Sequence, residues 1–267
     1  MSIGRYSKVV AVLAGWIVLS AILASAQKAI IIDDDLRANA DVLKVKMGAQ
    51  ALGKIWKFKF GEFSIVSSKM GVTKTATTSA FLSPVEKSRT KQKFSFVLKG
   101  AGPETVSVKA AQNLESEALN EIAISPGVSM SVVDISGTSD NLVAEIAFDG
   151  ESAKPWTLLL QVASSLAVLK EKTLSSLLTD GTREIVISSV TSDEPGAKPR
   201  VLPARGYEFS EAGRALGAVQ YWGGGILGLN KNVVHMRRDL DTRTKLLLAA
   251  AMTTILQVKV NAQTSLD

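Results

Sequence analysis

From Val42 onward, hydrophobic and polar positions alternate with a period of two, the pattern of strands that bury one face. In Val42–Met47, Leu43, Val45 and Met47 fall on one side and Lys44 and Lys46 on the other. In Lys54–Phe60 the alternation predicts a strand with Trp56, Phe58 and Phe60 facing inward and Lys57 and Lys59 facing out. Gly61 breaks this strand, EFSIVSS resumes it, and Met70-Gly71 precedes the Thr-rich VTKTATTSAFLS. Pro84 ends that run, and a basic stretch leads into KFSFVLKG. The same reading extends through TVSVKA, VSMSVVDI, LVAEIAF, PWTLLLQV, SLLT, TREIVIS, GYEFSE, RALGAVQYW and ILGLNKNVVHM. Turn signals recur about every 8–12 residues, as sandwiches and barrels require. Asp180-Gly181 predicts a two-residue hairpin turn with positive φ at both positions. Residues 163–178 read equally as helix or strand, and Thr191–Pro203, with three of the seven prolines, reads as a surface loop.

One stretch breaks the alternation. Asp241–Gln257 predicts a helix, and its residues Leu246–Met252 are seven consecutive apolar positions with no polar face. Such a helix must be enclosed, and its apolar run falls short of the roughly 20 residues needed to span a bilayer. Burial in a core is therefore expected. Asp241 is placed to cap the helix, and Asp239 and Asp241 both lie at its positive end. Many short strands and one enclosed helix predict a mainly β fold: a closed or nearly closed antiparallel barrel of about twelve strands around a buried C-terminal helix, since closure removes exposed edges.

The first 26 residues have another character. Arg5 and Lys8 precede an apolar run from Val9 to Leu23 and then Ala24-Ser25-Ala26, the three-part pattern of a cleaved signal peptide. The expected organisation is a signal peptide at 1–26, a lead-in segment at 27–41 and a single barrel-like domain at 42–267 with its helix at 241–257. Export to the periplasm or the cell exterior follows, the alternative being tethering by an uncleaved N-terminal segment. The chain has no cysteine, which excludes disulfides, thiolate metal sites and cysteine nucleophiles.

Charge changes the picture further. Removing residues 1–26 leaves 29 Lys and Arg against 25 Asp and Glu, a modest excess that hides a segregation. Between Lys44 and Lys99 stand twelve bases and two acids, Glu62 and Glu86, whereas Glu104–Glu194 holds fourteen acids and five bases. Such asymmetry points to anionic partners if the bases gather on one surface. The candidate binding residues are Lys57, Lys59, Arg89, Lys91 and Lys93, at alternate positions of basic stretches.

Motifs for other chemistry fail on physical grounds. Gly48–Lys54 follows most of a phosphate-binding loop, but Ile55 stands where a hydroxyl should meet magnesium, and a strand pattern follows where a helix N-terminus should. Gly223–Gly228 has dinucleotide-fingerprint spacing without a βαβ context, so its glycines are expected to serve a tight turn or close backbone approach. Asp33-Asp34-Asp35 lacks the alternation of a calcium loop. His235, the only histidine, reads as an ordinary side chain at a strand end. No catalytic residue, metal site or cofactor is expected.

The strand LNKNVVHMRR, the acidic entry Asp239-Leu240-Asp241 and the run TKLLLAAAMTTIL together resemble the tubby C-terminal-like superfamily, which includes phospholipid scramblases and LURP-one-related proteins. The resemblance concerns the architecture of Val42–Gln257 and implies a barrel threaded by a hydrophobic helix. The function expected is that of a noncatalytic exported envelope protein that binds anionic phospholipid or another polyanion. The alternative is a structural module that binds another envelope protein. Nucleic acid is not an expected partner.

Overall fold

The computed structural model describes residues 29–48, 55–71, 74–78, 87–115, 121–125, 128–131, 139–150, 154–163, 176–194, 196, 203–225 and 231–264. The expected signal peptide, residues 49–54 and residues 164–175 lie outside this set.

Strands β1 (Ala40–Lys44), β2 (Lys46–Met47), β3 (Phe58–Phe60), β4 (Phe63–Met70), β5 (Lys74–Thr78), β6 (Lys87–Lys99) and β7 (Thr105–Glu115) build the first part of the chain. The small pair β8 (Glu121–Ser125) and β9 (Val128–Ser131) forms a sheet of its own. Then come β10 (Ser139–Phe148), β11 (Trp156–Ala163), β12 (Ser176–Thr179), β13 (Glu184–Thr191), β14 (Arg205–Glu211), β15 (Arg214–Trp222) and β16 (Val233–Arg237). Helix α1 (Asp34–Asn39) precedes them all and helix α2 (Thr242–Thr264) follows.

The main sheet is antiparallel and runs β1-β16-β15-β14-β13-β12-β11-β10-β7-β6-β4-β3-β2, with β5 attached to β6. Its two ends are successive segments of one stretch, Ala40–Met47, interrupted only at Val45. The first segment pairs with β16 and the second with β3, so the sheet returns to itself as a nearly closed barrel. The β2–β3 seam is a short ladder, two residue pairs long. Most neighbours in the sheet are also neighbours in sequence, as expected for short antiparallel connections.

Helix α2 fills the barrel. Every residue from Leu246 to Val258 is buried, which is more than three turns without a solvent-facing side. The inward strand positions Phe58, Phe60, Phe94, Phe96, Leu158, Ile185 and Phe209 join Leu246, Leu247, Leu248, Ile255 and Leu256 in one core. Small residues set how closely helix and wall approach. A Cβ at Gly217 would lie 2.9 Å from Met252 Cε, and Ala249, Ala250 and Ala251 are all at 0% exposure. The helix is longer than the sequence indicates, continuing past Gln257 to Thr264 with Val258 and Val260 still buried. Gln257, the expected last residue of the helix, is enclosed and hydrogen-bonded within it.

A second, smaller core lies outside the barrel wall. Ile30, Ile32, Leu36 and Ala40 pack on Ala204, Ala215 and Ala218, so β15 is buried on both faces. Gly206 permits this, because a Cβ there would lie 2.9 Å from Ile30 Cδ1 and closer still to the Val219 carbonyl oxygen. The three successive aspartates hold this strap in place. Asp33 caps α1 by accepting from the Leu36 N–H, Asp34 pairs with Arg37, and Asp35 Oδ2 lies 2.6 Å from Arg237 Nη1. Arg237 is enclosed, with 7% of its side chain exposed, and its hydrogen bond holds Asp35 below the usual carboxylate range.

Two local expectations need correction. Thr179 pairs with Glu184, so the β12–β13 connection is a four-residue loop and not a two-residue turn. Positive φ occurs at Gly181 but not at Asp180, whose Oδ1 instead accepts from the N–H groups of Thr182 and Arg183. Residues 55–57 do not join the strand predicted for Lys54–Phe60, and Trp56 is only half-buried while Phe58 and Phe60 are buried. The glycines at 223 and 224 do serve a turn, at φ 65 and 72.

Candidate functional site

The order of strands converts the segregation of charge along the sequence into a segregation around the barrel. Because β2, β3, β4 and β6 are adjacent, the basic stretch Lys44–Lys99 forms one sector of the wall. Its inward positions are occupied by the aromatic core, so the lysines at intervening positions face outward on a convex surface.

Register aligns some of these bases. Lys46 is opposite Lys59, Lys59 opposite Ser64, Ser64 opposite Lys99, and Lys99 opposite Thr105. These residues form a single row across β2, β3, β4, β6 and β7, and all three lysines in it are exposed. Adjacent strands are about 4.8 Å apart, so Lys46 and Lys59 are near neighbours and Lys99 lies roughly 10 Å beyond Lys59. Like charges directly opposite each other destabilise a sheet, and here no carboxylate intervenes. Among the described residues Lys46, Lys57, Lys59, Lys69 and Lys99 make no ion pair with any acid. The acid of this stretch that is described, Glu62, sits in the β3–β4 turn.

The row ends at Thr105, whose hydroxyl donates to Asp149. Ser107 Oγ donates to the same carboxylate at 2.6 Å, and these hydroxyl hydrogen bonds hold Asp149 below the usual range. A parallel row behaves differently. Lys69 is opposite Ser95, Ser95 opposite Lys109, and Lys109 opposite Glu145, where the ammonium lies 3.8 Å from the carboxylate. Charge is thus compensated where Lys109 meets Glu145 and, among the described residues, uncompensated at Lys46, Lys57, Lys59, Lys69 and Lys99.

The five bases singled out from sequence are distributed over this sector. Lys57 and Lys59 are exposed at β3, and Lys93 is exposed on β6. Arg89 and Lys91 occupy β6 positions of the same parity as Lys93, with Lys91 opposite Lys74 of β5; their side chains lie outside the described residues. Lys46 and Lys99 were not distinguished by sequence pattern, because only cross-strand register places them beside Lys59. The bulge between Ile65 and Ser67 leaves Val66 49% exposed, an apolar side chain among these bases, whereas Met47 is opposite the inward Phe58 and lies on the other face of the sheet from Lys46.

Other candidates lead elsewhere. His235 is half-buried on β16 opposite Val42 and Ala218, and burial, followed by Arg37 and Lys231, lowers its pKa. Among the described residues no three or more His, Asp or Glu side chains gather as a metal site. None of the described helices is long and apolar enough to cross a membrane. The chain matches no known family, no characterised protein and no solved structure.

Proposed function

We propose that this protein is a noncatalytic exported envelope protein whose basic barrel sector binds anionic phospholipid headgroups or another polyanion. The observation that carries the reading is the row Lys46–Lys59–Lys99, without ion-pair partners among the described residues; Lys57 adjoins it, and Arg89, Lys91 and Lys93 stand farther along β6. Near an anionic bilayer each basic side chain contributes about 1 kcal/mol, so three acting together favour adsorption roughly a hundredfold. Val66 adds an apolar group at the same surface, and combined charge and apolar contact suit a membrane interface better than a purely polar partner.

Export rests on the N-terminal pattern of Met1–Ala26, and the tubby-like affiliation on the order of short strands and closing helix. Sedimentation with neutral and anionic vesicles, at low and moderate salt, tests the lipid reading. Recovery confined to anionic vesicles and weakened by salt supports it, and equal recovery with both contradicts it.

A further inference from the structure

At the end of the barrel where α2 begins, a pocket of about 170 Å³ opens between β10, β11 and the β12–β13 loop. Ile146, Phe148 and Trp156 close its base but are buried, and its open surface belongs mostly to the polar groups of Lys154, Asp180, Arg183 and Arg243. Each arginine lies on an aromatic ring: Arg183 is 5.4 Å from the centre of Trp156 and Arg243 is 3.8 Å from that of Phe148. Each is also anchored by a carboxylate outside the pocket. Glu211 receives Nε and Nη2 of Arg183 at 2.8 and 3.0 Å, and Glu104 lies 3.6 Å from Nη1 of Arg243.

These anchors fix the guanidinium planes and leave specific groups unspent. The fork on Glu211 does not use Nη1 of Arg183. Asp180 engages the backbone N–H groups of Thr182 and Arg183 through Oδ1, leaving Oδ2 as an acceptor. Lys154 makes no ion pair among the described residues, and its ammonium lies against the loop, 2.6 Å from where a Cβ on Gly181 would be. The pocket thus offers an ammonium, a guanidinium edge and one carboxylate oxygen.

Charge narrows the ligand further. The three cations are matched by Asp180, Glu104 and Glu211, so a doubly charged phosphate gains little net attraction. A single carboxylate can take Lys154 and Arg183 while a donor beside it takes Asp180. We infer that this pocket binds a small carboxylate with a hydrogen-bond donor on its α-carbon, an α-amino or α-hydroxy acid. The donor to Asp180 distinguishes such acids from unsubstituted carboxylic acids. This site is separate from the lysine row and does not depend on lipid binding.

Calorimetric titration of the intact protein tests the assignment with four probes: leucine, 2-hydroxy-4-methylpentanoate, 4-methylpentanoate and inorganic phosphate. Leucine, the hydroxy acid or both should bind, with the unsubstituted acid and phosphate weaker by about tenfold, the value of one charge-assisted hydrogen bond. Lys154→Gln should weaken binding by a similar factor without changing the melting temperature. Asp180→Asn, which keeps an Oδ1 acceptor for the loop, should weaken leucine more than the hydroxy acid, because an ammonium needs the charge. Absence of binding by both substituted acids, preference for phosphate, or undiminished affinity in Lys154→Gln would overturn the inference.

Discussion

Gln257 on the central helix holds the backbone of Trp56 with both ends of its side-chain amide. Its Oε1 accepts from the Trp56 N–H at 3.1 Å, and its Nε2 donates to the Trp56 carbonyl at 2.5 Å. Residues 55–57 precede β3 and lie outside the strands, so the helix supplies hydrogen bonds that a neighbouring strand would otherwise provide. The contact lies near the β2–β3 seam, with its ladder of two residue pairs.

Replacing Gln257 with Leu keeps the side chain's bulk and removes both hydrogen bonds. The Trp56 N–H then loses the amide oxygen, while the carbonyl keeps the Phe58 N–H at 3.2 Å, so the cost is about 1–2 kcal/mol. Urea denaturation should register that loss, and hydrogen exchange should increase at Trp56 and Phe58 before it does in β10 or β15. An unchanged midpoint would mean that water replaces the amide without penalty.

The helix itself is the next element to test. Leu247 is 2% exposed in the barrel core, and an unpaired carboxylate there costs several kcal/mol. Leu247→Asp should therefore prevent folding, whereas Val186→Asp, at a position 46% exposed on the outer wall, should change stability by no more than about 0.5 kcal/mol. Circular dichroism of the two variants distinguishes an enclosed helix from a peripheral one.

Acidification should reveal His235 separately from the carboxylates. Its pKa is lowered in the folded protein, first by burial and then by Arg37 and Lys231, so the unfolded chain binds its proton more readily. It makes no contribution to pH dependence well above 6.5 and destabilises the fold as pH falls through that unfolded value, levelling off below the folded one. Asp35, Asp149 and Asp180 are held below 3.8, so the stability they provide persists through that interval and is lost only as pH falls through their lowered values. Thermal melts from pH 7.5 to 5 should show a decline that disappears in His235→Leu. A decline that survives the substitution would assign it to other groups.

How much of this was legible in sequence depended on whether the determining contacts were local. The apolar run Leu246–Met252 announced an enclosed helix, because no solvent-facing helix tolerates two turns without a polar side. The extent of that helix was not legible, since Gln257 carries the same letters whether it ends a helix or clamps a distant backbone. Lys259 extends the point, reaching from the last turns over the rings of Tyr207 and Tyr221 at 5.9 and 5.4 Å. Lys57 and Lys59 were recognisable as outward positions from alternation alone. Lys46 became a neighbour of Lys59 through the β2–β3 ladder, and Lys99 through the β3–β4 turn and the β4–β6 register, and register of that kind has no signature in period two. The acidic run Asp33–Asp35 likewise depended on Arg237, about two hundred residues away, to give its third member a role.

The lysine row gives the central claim its most direct measurement, vesicle sedimentation of the native protein beside a Lys59→Glu, Lys99→Glu double variant. Both positions are exposed, without ion-pair partners among the described residues and outside the core, so the variant should retain the native melting temperature within a few degrees. If the row binds anionic headgroups, the native protein sediments with anionic but not neutral vesicles, about 0.5 M salt releases it, and the double variant binds at least about tenfold more weakly. Equal recovery of the native protein with neutral and anionic vesicles, or undiminished binding by the folded double variant, would contradict it.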